Sequence, residues 1–386
     1  MRKPRKLLSI GHSYAVGVNR RLAHAIQRAA GDTWEVETAA PSYFHGGYDL
    51  RPITFAPIAG ELCPVTPIPA YLTRFVHIFA YSLRTLRRLL NRDWDVVHAW
   101  EEPYILAGAE LAACTPRRSR FVFRTAQSWN KSYPPPFHAF ERYVVSRSAG
   151  WICSGAKVSE AMLARPGYAQ RPHRTIPLGV DLDMFRPDSA ARAAVRQALG
   201  WTEPGPPVVG FLGRFVREKG PMLLARALDA ICTPWRALFV GAGPLEGEIR
   251  AWANRYPERV RILTTVHHDQ VAPHLCAMDL LAAPSLTTRW WREQFGRMLI
   301  EGMACGVPVV GSDSGEIPNV LSGYGEVVPE GNVEAWTRAL GDLLENPARR
   351  GAMSAAGLAV CQRYSWDEVG RQHLAFFNQL ADTPPR

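Results

Sequence analysis

Residues 293–310 read Glu293-Gln-Phe-Gly-Arg-Met-Leu-Ile-Glu301-Gly-Met-Ala-Cys-Gly-Val-Pro-Val-Val310. The apolar spacing predicts a helix over residues 295–305, and Gly306 and Pro308 are the stop signals expected after it. The apolar run at residues 307–311 is typical of a buried strand. A helix that leads into a buried strand is the repeating unit of a parallel α/β sheet.

The same unit recurs along the chain in two series. Strands are predicted at residues 7–10, 95–98, 121–124 and 151–154, and then at residues 208–212, 237–240, 260–263, 280–283, 307–311 and 326–328. Helices are predicted between them, for example at residues 19–30 and 137–148. Prolines in residues 51–69 predict a loop or an irregular insertion, because proline denies the backbone a donor. The predicted fold class is α/β, with two Rossmann-like doubly wound domains.

Composition and cysteine spacing narrow the class of protein. A hydrophobic content of 47% with 21% charged residues is that of a globular chain rather than a disordered one. The seven cysteines form no C-x-x-C pair, which predicts neither a disulfide framework nor a zinc cluster and favours the cytoplasm. The adjacent His267 and His268 lack a companion at ligand spacing, so we expect a surface or cleft-edge position for them and no metal site.

Charge and hydropathy bear on partners and location. No stretch is apolar enough to span a bilayer, and the apolar run after the basic N-terminus is too short for a signal peptide. We therefore expect a cytoplasmic protein. The net charge of +10 favours an anionic partner, which leaves nucleic acid, an acidic membrane surface and a phosphorylated substrate open.

The start of the helix in residues 293–310 has the chemistry of a diphosphate site. Its first turn presents backbone N–H groups and the positive end of the helix dipole, and Gly296 lets a ligand come close. Glu301, in the second turn, is placed to accept hydrogen bonds from both hydroxyls of a ribose, and Glu293 is placed to face a sugar. The alternative is that both glutamates are solvated acids at a helix end.

Two cations follow the strand at residues 208–212. Gly213 ends the strand, and Arg214 and Lys219 follow in a glycine turn. Ligands bind at the carboxyl ends of parallel strands, and a planar guanidinium with a compact ammonium group suits a departing diphosphate. The alternative is a solvated basic loop.

Further turns complete a predicted donor site. The turn from Gly241 to Leu245, which includes Gly243, has one residue too many for a dinucleotide fingerprint. It is predicted to be the turn that leads from a strand into a helix and to line the cleft. The nucleotide base is expected to be recognised by backbone groups of this turn and by those of Thr265 and Val266.

The first half of the chain supplies residues for an acceptor. Gly11 and His12 end the first strand, and Gly11 permits close backbone approach. His98 ends a later strand, with Glu101 soon after it. These residues are predicted to contact an acceptor or line the cleft, although a histidine that ends a strand is equally well explained as a hydrogen-bonded structural residue.

A basic amphipathic segment covers residues 74–92. Its cations are Arg74, His77, Arg84, Arg87, Arg88 and Arg92, with apolar residues between them. A helix with this pattern is predicted to rest on anionic lipid. An ordinary domain helix with a solvated basic face fits the pattern as well.

Taken together, these motifs resemble the retaining glycosyltransferase family 4 (glycosyl transferases group 1). The resemblance extends over most of the chain and includes three further matches, at residues 176–185, at Asp279 and at Pro284-Ser285. It implies the GT-B architecture, in which two Rossmann-like domains face a cleft. The implied divisions are an acceptor-binding domain at residues 1–178, a nucleotide-sugar-binding domain at residues 179–365, and a C-terminal helix at residues 366–386 that returns to the first domain.

The resemblance also implies an activity and a set of site residues. The activity is transfer of a hexose from a UDP- or GDP-sugar to a glycan, lipid-linked or small-molecule hydroxyl with retained configuration, without a cofactor or an obligatory metal. Arg214, Lys219 and Glu293 are the implied catalytic residues. The implied donor-binding residues are Gly213, Gly243, Leu245, Val266, Phe295, Gly296, Arg297, Met298, Leu299 and Glu301.

The chain departs from the family pattern at three places. Gln127 follows the strand at residues 121–124, where many members carry a histidine; it can donate a hydrogen bond to a sugar hydroxyl but cannot act as a base. The frequent Gly-Gly-x-Pro-Glu turn appears as Gly315-Glu-Ile-Pro-Asn319. Gly302 replaces a usual alanine, at a propensity cost of about 1 kcal/mol.

Two other functions are compatible with parts of this pattern. One is a GT-B sugar-nucleotide epimerase, which would use the same donor site. The other is a basic nucleic-acid-binding protein, but the positive charges are dispersed and no nucleic-acid-binding motif is evident. We therefore expect no nucleic acid partner. The base, the sugar and the acceptor are left open by the sequence.

Overall fold

The computed structural model describes residues 3–45, 52–58, 60–201 and 203–383. The chain divides into two compact units, which we name the first unit (Met1–Gly179 with Trp366–Arg386) and the second unit (Val180–Ser365). The resemblance places the divisions after residues 178 and 365, and the structure places them after Gly179 and Ser365. Residues 384–386 of the predicted C-terminal segment lie outside the described residues.

The strands are short and follow one another in chain order. They are β1 (Arg5–Ile10), β2 (Trp34–Pro41), β3 (Tyr43–Phe44), β4 (Ile53–Thr54), β5 (Val65–Ile68), β6 (Ala70–Tyr71), β7 (Ala80–Tyr81), β8 (Val96–Ala99), β9 (Arg120–Thr125), β10 (Gly150–Cys153), β11 (His173–Thr175), β12 (Val208–Leu212), β13 (Arg236–Val240), β14 (Val260–Leu263), β15 (Leu280–Ala283), β16 (Val309–Ser312) and β17 (Glu326–Val328).

The helices alternate with these strands. They are α1 (Gly17–Ala30), α2 (Leu83–Leu90), α3 (Leu106–Cys114), α4 (Phe137–Arg147), α5 (Ala156–Leu163), α6 (Ser189–Ala198), α7 (Pro221–Asp229), α8 (Glu246–Ala253), α9 (Val271–Cys276), α10 (Arg297–Ala304), α11 (Ile317–Leu321), α12 (Val333–Glu345), α13 (Pro347–Cys361) and α14 (Trp366–Asp382). Within the described ranges, no helix is both long enough and apolar enough to span a bilayer.

Each unit is built on one parallel sheet. In the first unit the described strands are ordered β11-β10-β9-β8-β1-β2-β5, and all neighbours in this order run parallel. In the second unit the order is β14-β13-β12-β15-β16-β17, again with parallel neighbours. Both orders contain a switch point, so both units have the doubly wound topology predicted from the sequence.

Both faces of the first sheet are covered by apolar side chains. In β1, Leu7 belongs to a buried cluster with residues of α1 and α14, whereas Leu8 and Ile10 belong to a cluster with residues of α2 to α5. Strands buried on both faces read as continuous apolar runs, which is why they are recognisable in the sequence. The helix α14 packs against α1, so the end of the chain completes the first unit.

Two predictions about local structure are wrong, the loop or irregular insertion at residues 51–69 and the helix over residues 74–92. Residues 51–69 contain β4 and β5, although Arg51 and Ala59 lie outside the described residues. Pro67 is tolerated in β5 because β5 is an edge strand, where a missing N–H costs no ladder bond on the open side. In residues 74–92, only Leu83–Leu90 is helical, because β7 and turns occupy the part before Ser82.

Candidate functional site

Lys219 of the second unit forms a buried ion pair with Glu293. After β12, the chain makes a short 3-10 turn at Arg217–Lys219, and Lys219 Nζ lies 2.5 Å from Glu293 Oε2. Gly220, which follows, has φ 68°, and a Cβ there would lie 1.9 Å from the carbonyl oxygen of Pro284. Only glycine allows this approach, and it brings the lysine turn onto the end of β15.

Glu293 is held from several sides. The residue is 4% exposed, and its side chain also accepts a hydrogen bond of 3.1 Å from Ser285 Oγ. Its carbonyl oxygen accepts a bond of 3.0 Å from the N–H of Glu316. Gly315 has φ 58°, and a Cβ at that position would lie 2.0 Å from the same carbonyl oxygen, so the departure from the family turn keeps its essential glycine.

Trp291 is a neighbour of Lys219 that the sequence analysis misses. Lys219 Nζ lies 5.0 Å from the centroid of the Trp291 ring, within cation–π range. The loop holding the ring is closed by a bond of 2.7 Å from the N–H of Thr288 to the carbonyl of Trp291. The available signal is the pair Trp290-Trp291 directly before Arg292 and Glu293.

Arg214 differs from Lys219 in its surroundings. Its side chain is exposed, and across the described residues no ion pair or hydrogen bond of that side chain is present. Lys219 is neutralised by Glu293, whereas Arg214 carries an unneutralised positive charge. The two predicted cations therefore follow the same strand but contribute differently to its electrostatics.

The helix α10 begins two residues later than predicted. Gly296 is its N-cap residue with φ 80°, and no side chain caps it. A helix start of this kind attracts anions. The N–H of Leu299 donates to the Gly296 carbonyl at 2.9 Å, so this N–H is already paired within the first turn, and a contact of Leu299 with the nucleotide sugar stays a prediction. Phe295 is 4% exposed, and its ring packs against Tyr364, so any ligand contact of that residue is a main-chain one.

Glu301 is paired with a histidine from another loop. The residue Glu301 is 4% exposed, and its Oε1 lies 2.9 Å from His268 Nε2. His268 also makes an edge contact with Phe185. Burial lowers the pKa of the Arg297 guanidinium one turn earlier, while Glu301 opposes that shift. His268 is a partner of Glu301 rather than an isolated histidine, and nothing in the local sequence indicates this pairing.

The remaining residues predicted to bind the nucleotide sugar lie at the same edge of the second sheet. Leu245 donates its N–H to the carbonyl of Phe215 at 2.9 Å, and Phe215 donates to the carbonyl of Ala242 at 2.8 Å. The turns after β12 and β13, which contain Gly213 and Gly243, are thereby joined. Val266 is half-buried in the loop after β14. Met298 is half-buried in the first turn of α10.

In the first unit, His12 and Glu101 form a pair at the ends of β1 and β8. His12 Nδ1 lies 2.5 Å from Glu101 Oε2, and the His12 N–H donates to Glu101 Oε1 at 2.6 Å. Tyr81 also donates to Glu101 Oε1, at 2.6 Å. Burial disfavours the charged imidazole, but the carboxylate and its hydrogen bond outweigh burial, so the pKa of His12 is raised. Gly11 lies against the Trp100 carbonyl.

Gln127 lies at the end of the next strand, β9. The residue is 6% exposed; its Nε2 donates to Tyr133 Oη at 2.9 Å, and its Oε1 accepts from the N–H of Trp129 at 3.0 Å. Nearby, Glu102 accepts bonds from Thr125 Oγ1 and from the N–H of Ala126. Burial raises the pKa of the Glu102 carboxyl, although these two bonds oppose the shift.

His98 is a core residue, so the prediction that it contacts an acceptor is wrong. It is fully buried, and its Nδ1 lies 2.7 Å from Ser9 Oγ. Its ring packs against His373 and Phe377 of α14. Burial, with the charges of His373 and Arg124, holds the pKa of His98 well below its usual range. The structural alternative stated for this residue is the one that applies.

Two family models match the chain. The model described as Glycosyltransferase Family 4 covers residues 16–184, and the model described as Glycosyl transferases group 1 covers residues 206–346. The phosphatidyl-myo-inositol mannosyltransferase of Mycobacterium leprae (strain TN) is 30% identical to this chain over 84% of it and 83% of its own length. This chain belongs to glycosyltransferase family 4. The resemblance inferred from the motifs is confirmed.

Other curated relatives match a smaller part of this family 4 chain. The D-inositol 3-phosphate glycosyltransferase of Xylanimonas cellulosilytica is 31% identical over 64% of the chain and 60% of its own length. A GDP-mannose-dependent monoacylated alpha-(1-6)-phosphatidylinositol monomannoside mannosyltransferase of Corynebacterium glutamicum is 32% identical over 56% of the chain and 59% of its own length. The chain thus spans about three-fifths of the length of these two relatives.

Solved structures share the fold of this family 4 chain. Anabaena HepE in complex with UDP has a TM-score of 0.73 and 19% identity, covering 97% of this chain and 100% of that one. A glycosyltransferase from Rickettsia africae has a TM-score of 0.75 and 14% identity, covering 99% of this chain and 100% of that one. The predicted GT-B fold class, with its two Rossmann-like domains, is confirmed.

The described residues contain no cluster of metal ligands. Among the residues that the structure describes, no group of three His, Cys, Asp or Glu side chains could hold a metal ion. The adjacent His267 and His268 belong to no such group. The absence of a metal in the function of the chain stays a prediction.

Proposed function

We propose that this family 4 chain is a retaining hexosyltransferase that uses a UDP- or GDP-sugar. The observation that carries the proposal is the Lys219–Glu293 pair, with the exposed Arg214 and the uncapped start of α10, at the carboxyl edge of one parallel sheet. Cations, a helix start and a buried carboxylate together suit a diphosphate attached to a sugar. The inositol glycosyltransferases and GDP-mannose-dependent mannosyltransferases among its relatives support the same activity.

The charges of this edge suit a departing diphosphate. Lys219 and Glu293 together are neutral, so Arg214 and the α10 start supply the net attraction for the donor. When the diphosphate binds, the lysine has a second acceptor, and the carboxylate of Glu293 becomes available to a sugar hydroxyl. In the same site, Glu301 and His268 bind the ribose, with one carboxylate oxygen bonded to the histidine and the other open to the diol.

The proposed reaction breaks the bond between the anomeric carbon and the diphosphate oxygen. The electron pair leaves with the diphosphate, where Lys219 and Arg214 stabilise the developing charge. The acceptor oxygen forms the new bond on the same face of the sugar, and its proton passes to a diphosphate oxygen. No side chain has to act as a base, so Gln127 is compatible with the reaction as a hydrogen-bonding residue.

A phosphorylated or lipid-linked polyol is the proposed acceptor. Inositol 3-phosphate and phosphatidylinositol mannosides occur in the names of the relatives. The raised pKa of His12 favours its imidazolium form, which suits a phosphate group of the acceptor. Glu101 orients this imidazole. Gln127, at the end of the neighbouring strand, is proposed to contact an acceptor or sugar hydroxyl.

The segment at residues 71–88 is proposed to rest on an anionic membrane at the cytoplasmic face. Apolar side chains that are 38–59% exposed alternate there with exposed arginines. The apolar members are Tyr71, Leu72, Phe75, Ile78 and Leu83, and the arginines include Arg84 and Arg88. Each arginine near an anionic surface contributes about 1 kcal/mol to binding. Membrane contact through this surface does not require a helix over all of residues 74–92, because turns also expose these side chains.

Donor binding tests the first part of the proposal. Isothermal titration with UDP and GDP is expected to give saturable binding of one nucleotide and at least tenfold weaker binding in Lys219→Ala. Arg217→Ala, an exposed arginine in the same turn, is the matched control and should bind as the unaltered protein does. Equal losses in both variants would mean that the turn contributes only general positive charge, and no binding at millimolar nucleotide would refute the donor site.

Product analysis distinguishes the transferase from an epimerase. The chain is incubated with GDP-mannose or UDP-glucose, with and without a phosphatidylinositol or inositol phosphate acceptor, and the products are separated by chromatography and identified by NMR, since epimers have the same mass. Release of nucleoside diphosphate with a glycosylated acceptor supports transfer, and the product's anomeric configuration tests retention. An epimerised nucleotide sugar formed without acceptor would contradict the proposal. EDTA should leave the rate unchanged, because no obligatory metal is proposed.

Flotation with vesicles tests the membrane surface. Binding to vesicles that contain phosphatidylinositol is expected to fall at least fivefold in Arg84→Gln/Arg88→Gln, and not in Arg118→Gln, which removes a charge elsewhere on the first unit. Equal binding of all three proteins would contradict the assignment of this surface.

A further inference from the structure

The loop that follows β9, at the carboxyl edge of the first sheet, is bound to its surroundings at both ends. We name residues 126–133 the β9 loop. At its start, the N–H of Ala126 donates to Glu102 Oε1 at 2.7 Å. Within it, Gln127 Nε2 donates to Tyr133 Oη at 2.9 Å, so the first and last parts of the loop are joined.

The far end of the β9 loop is held by Arg165, which follows α5. Arg165 is 9% exposed, and its Nε donates to Glu141 Oε1 of α4 at 2.7 Å. Its Nη1 donates to Asn130 Oδ1 at 3.2 Å and to the carbonyl of Lys131. The guanidinium also lies 5.1 Å from the centroid of the Tyr133 ring. A loop fixed in this way presents its side chains to a ligand without a large ordering cost.

The backbone of Lys131 is fixed, but among the described residues its ammonium group has no hydrogen-bond or ion-pair partner. The residue is half-buried, and its Nζ lies 5.7 Å from the centroid of the Tyr133 ring. Glu102 is a charged neighbour, but its two oxygens accept hydrogen bonds from Thr125 and Ala126. An ammonium group has three N–H donors, so those of Lys131 are available to a ligand.

A solvated lysine on a loop surface is the ordinary explanation, and two observations argue against it. Burial lowers the pKa of the Lys131 ammonium group, although the charge of Glu102 opposes the shift, whereas a solvated ammonium group keeps its usual pKa. The rings around it are also close together. The His77 ring lies 5.9 Å from that of Tyr104, and Tyr104 stacks on Tyr133 at a centroid distance of 4.1 Å. Burial lowers the pKa of His77, and the charge of Lys131 lowers it further, so the ammonium group lies near these rings.

We propose that Lys131 binds a phosphate group of the acceptor and thereby makes the chain prefer phosphorylated polyols. This inference rests on the proposed function for the identity of the acceptor. Three N–H donors and a positive charge on a fixed loop suit phosphate oxygens, and hydrogen bonds between charged groups are stronger than neutral ones. The charge of Glu102 also acts on His12, so both cations assigned to the phosphate lie near one carboxylate. The phosphate belongs either to a soluble phosphate ester or to a lipid headgroup.

Direct titration tests this assignment. Inositol 3-phosphate is titrated into the whole chain, and myo-inositol serves as the probe without phosphate. We expect saturable binding of inositol 3-phosphate that is weakened about tenfold in Lys131→Met and only about threefold or less in Lys131→Arg, which keeps the charge. Lys6→Met is the matched control and should leave the affinity unchanged, because it removes the same charge at the start of β1, where Lys6 pairs with Glu35 at 3.1 Å.

The outcomes of the titration are distinct. Equal losses in Lys131→Met and Lys6→Met would overturn the proposal, because only general positive charge would then be involved. Absence of saturable binding below about 10 mM would overturn it as well. Competition by vesicles with phosphatidylinositol, but not with phosphatidylcholine alone, would support a lipid headgroup as the source of the phosphate. Binding without such competition would support a soluble phosphate ester.

Initial rates separate this inference from the proposed function. Lys131→Met should raise KM for inositol 3-phosphate about tenfold and leave KM for the nucleotide sugar and the rate with myo-inositol unchanged. An equal loss with both acceptors would overturn the role of Lys131 in phosphate recognition. If the unaltered chain transferred no sugar to either acceptor while inositol 3-phosphate binding still depended on Lys131, the proposed function would fail and the phosphate site would stand.

Discussion

Removal of the positive charge of Lys219 is expected to destabilise the second unit. In Lys219→Met the apolar part of the side chain is kept, but Glu293, whose side chain is 6% exposed, loses its ion-pair partner. Breaking a buried pair by removing one partner costs about 3–5 kcal/mol. The lysine side chain is 16% exposed, and Ser285 still donates to the carboxylate, so we expect about 2–3 kcal/mol here.

The converse substitution is expected to cost less. Glu293→Gln keeps an acceptor for Ser285 and leaves a lysine that is partly exposed and lies on the Trp291 ring. We expect a loss of about 1 kcal/mol. In the double variant, no buried charge lacks a partner, so its loss should be smaller than the sum by about 1–2 kcal/mol, which is the coupling free energy of the pair.

Hydrogen exchange measured by mass spectrometry in increasing urea is the suitable assay, because a chain of two units does not unfold in one step. Peptides of the second unit should report the loss of stability, and peptides of the first unit should not. Nucleotide titration on the same proteins separates stability from binding. A coupling free energy below about 0.5 kcal/mol, the limit for independent sites, would refute the reasoning that the pair is a buried unit.

Three further outcomes are expected. His268→Ala should weaken nucleotide binding about tenfold in calorimetric titration, since Glu301 loses its hydrogen-bond partner; an unchanged affinity would remove the histidine from the site. The pKa of His12 is raised from 6.5, so the stabilisation from its pair with Glu101 should be full below pH 6.5 and lost as the pH rises through the higher pKa of the folded state. The urea midpoints of the first unit, followed by hydrogen exchange of its peptides, should therefore converge at high pH for the unaltered protein and His12→Asn. A difference that is constant with pH would contradict this. Trp291→Leu should lower kcat/KM several-fold and also lower the stability of the second unit by about 0.5–2 kcal/mol, because the cation–π contact with Lys219 is present in the free protein. Initial rates with varied donor decide the first part.

Local patterns were sufficient for much of the fold. Strands such as β12 and β15 are continuous apolar runs, and the glycine and proline after α10 mark its end, so both features are visible in a few consecutive residues. The edge strand β5 escapes prediction because Pro67 within it and Pro64 and Pro69 beside it are breakers in most contexts. The strand β2 also escapes prediction, because Glu35 and Glu37 alternate with Trp34 and Val36 and interrupt the apolar run in the sequence.

The candidate site divides in the same way. Lys219, Glu293 and Glu301 are predicted because each lies next to a recognisable strand end or helix start. The His268–Glu301 bond joins residues 33 positions apart, and no local signal indicates which loop supplies the histidine. His98 shows the opposite error. Its position at the end of a predicted strand is compatible with a cleft residue as well as with a structural one, but α14 covers it.

The contribution of both chain ends to the first unit has a consequence for biosynthesis. On the ribosome, the second unit has all its residues once Ser365 has emerged, whereas the first sheet still lacks α14. Until then, apolar side chains of α1 such as Leu22 and Ile26 have no cover from Phe376 and Phe377. The first unit is therefore the first to be synthesised and the last to have all its elements. A nascent chain stalled before α14 exposes an apolar surface that chaperones can bind.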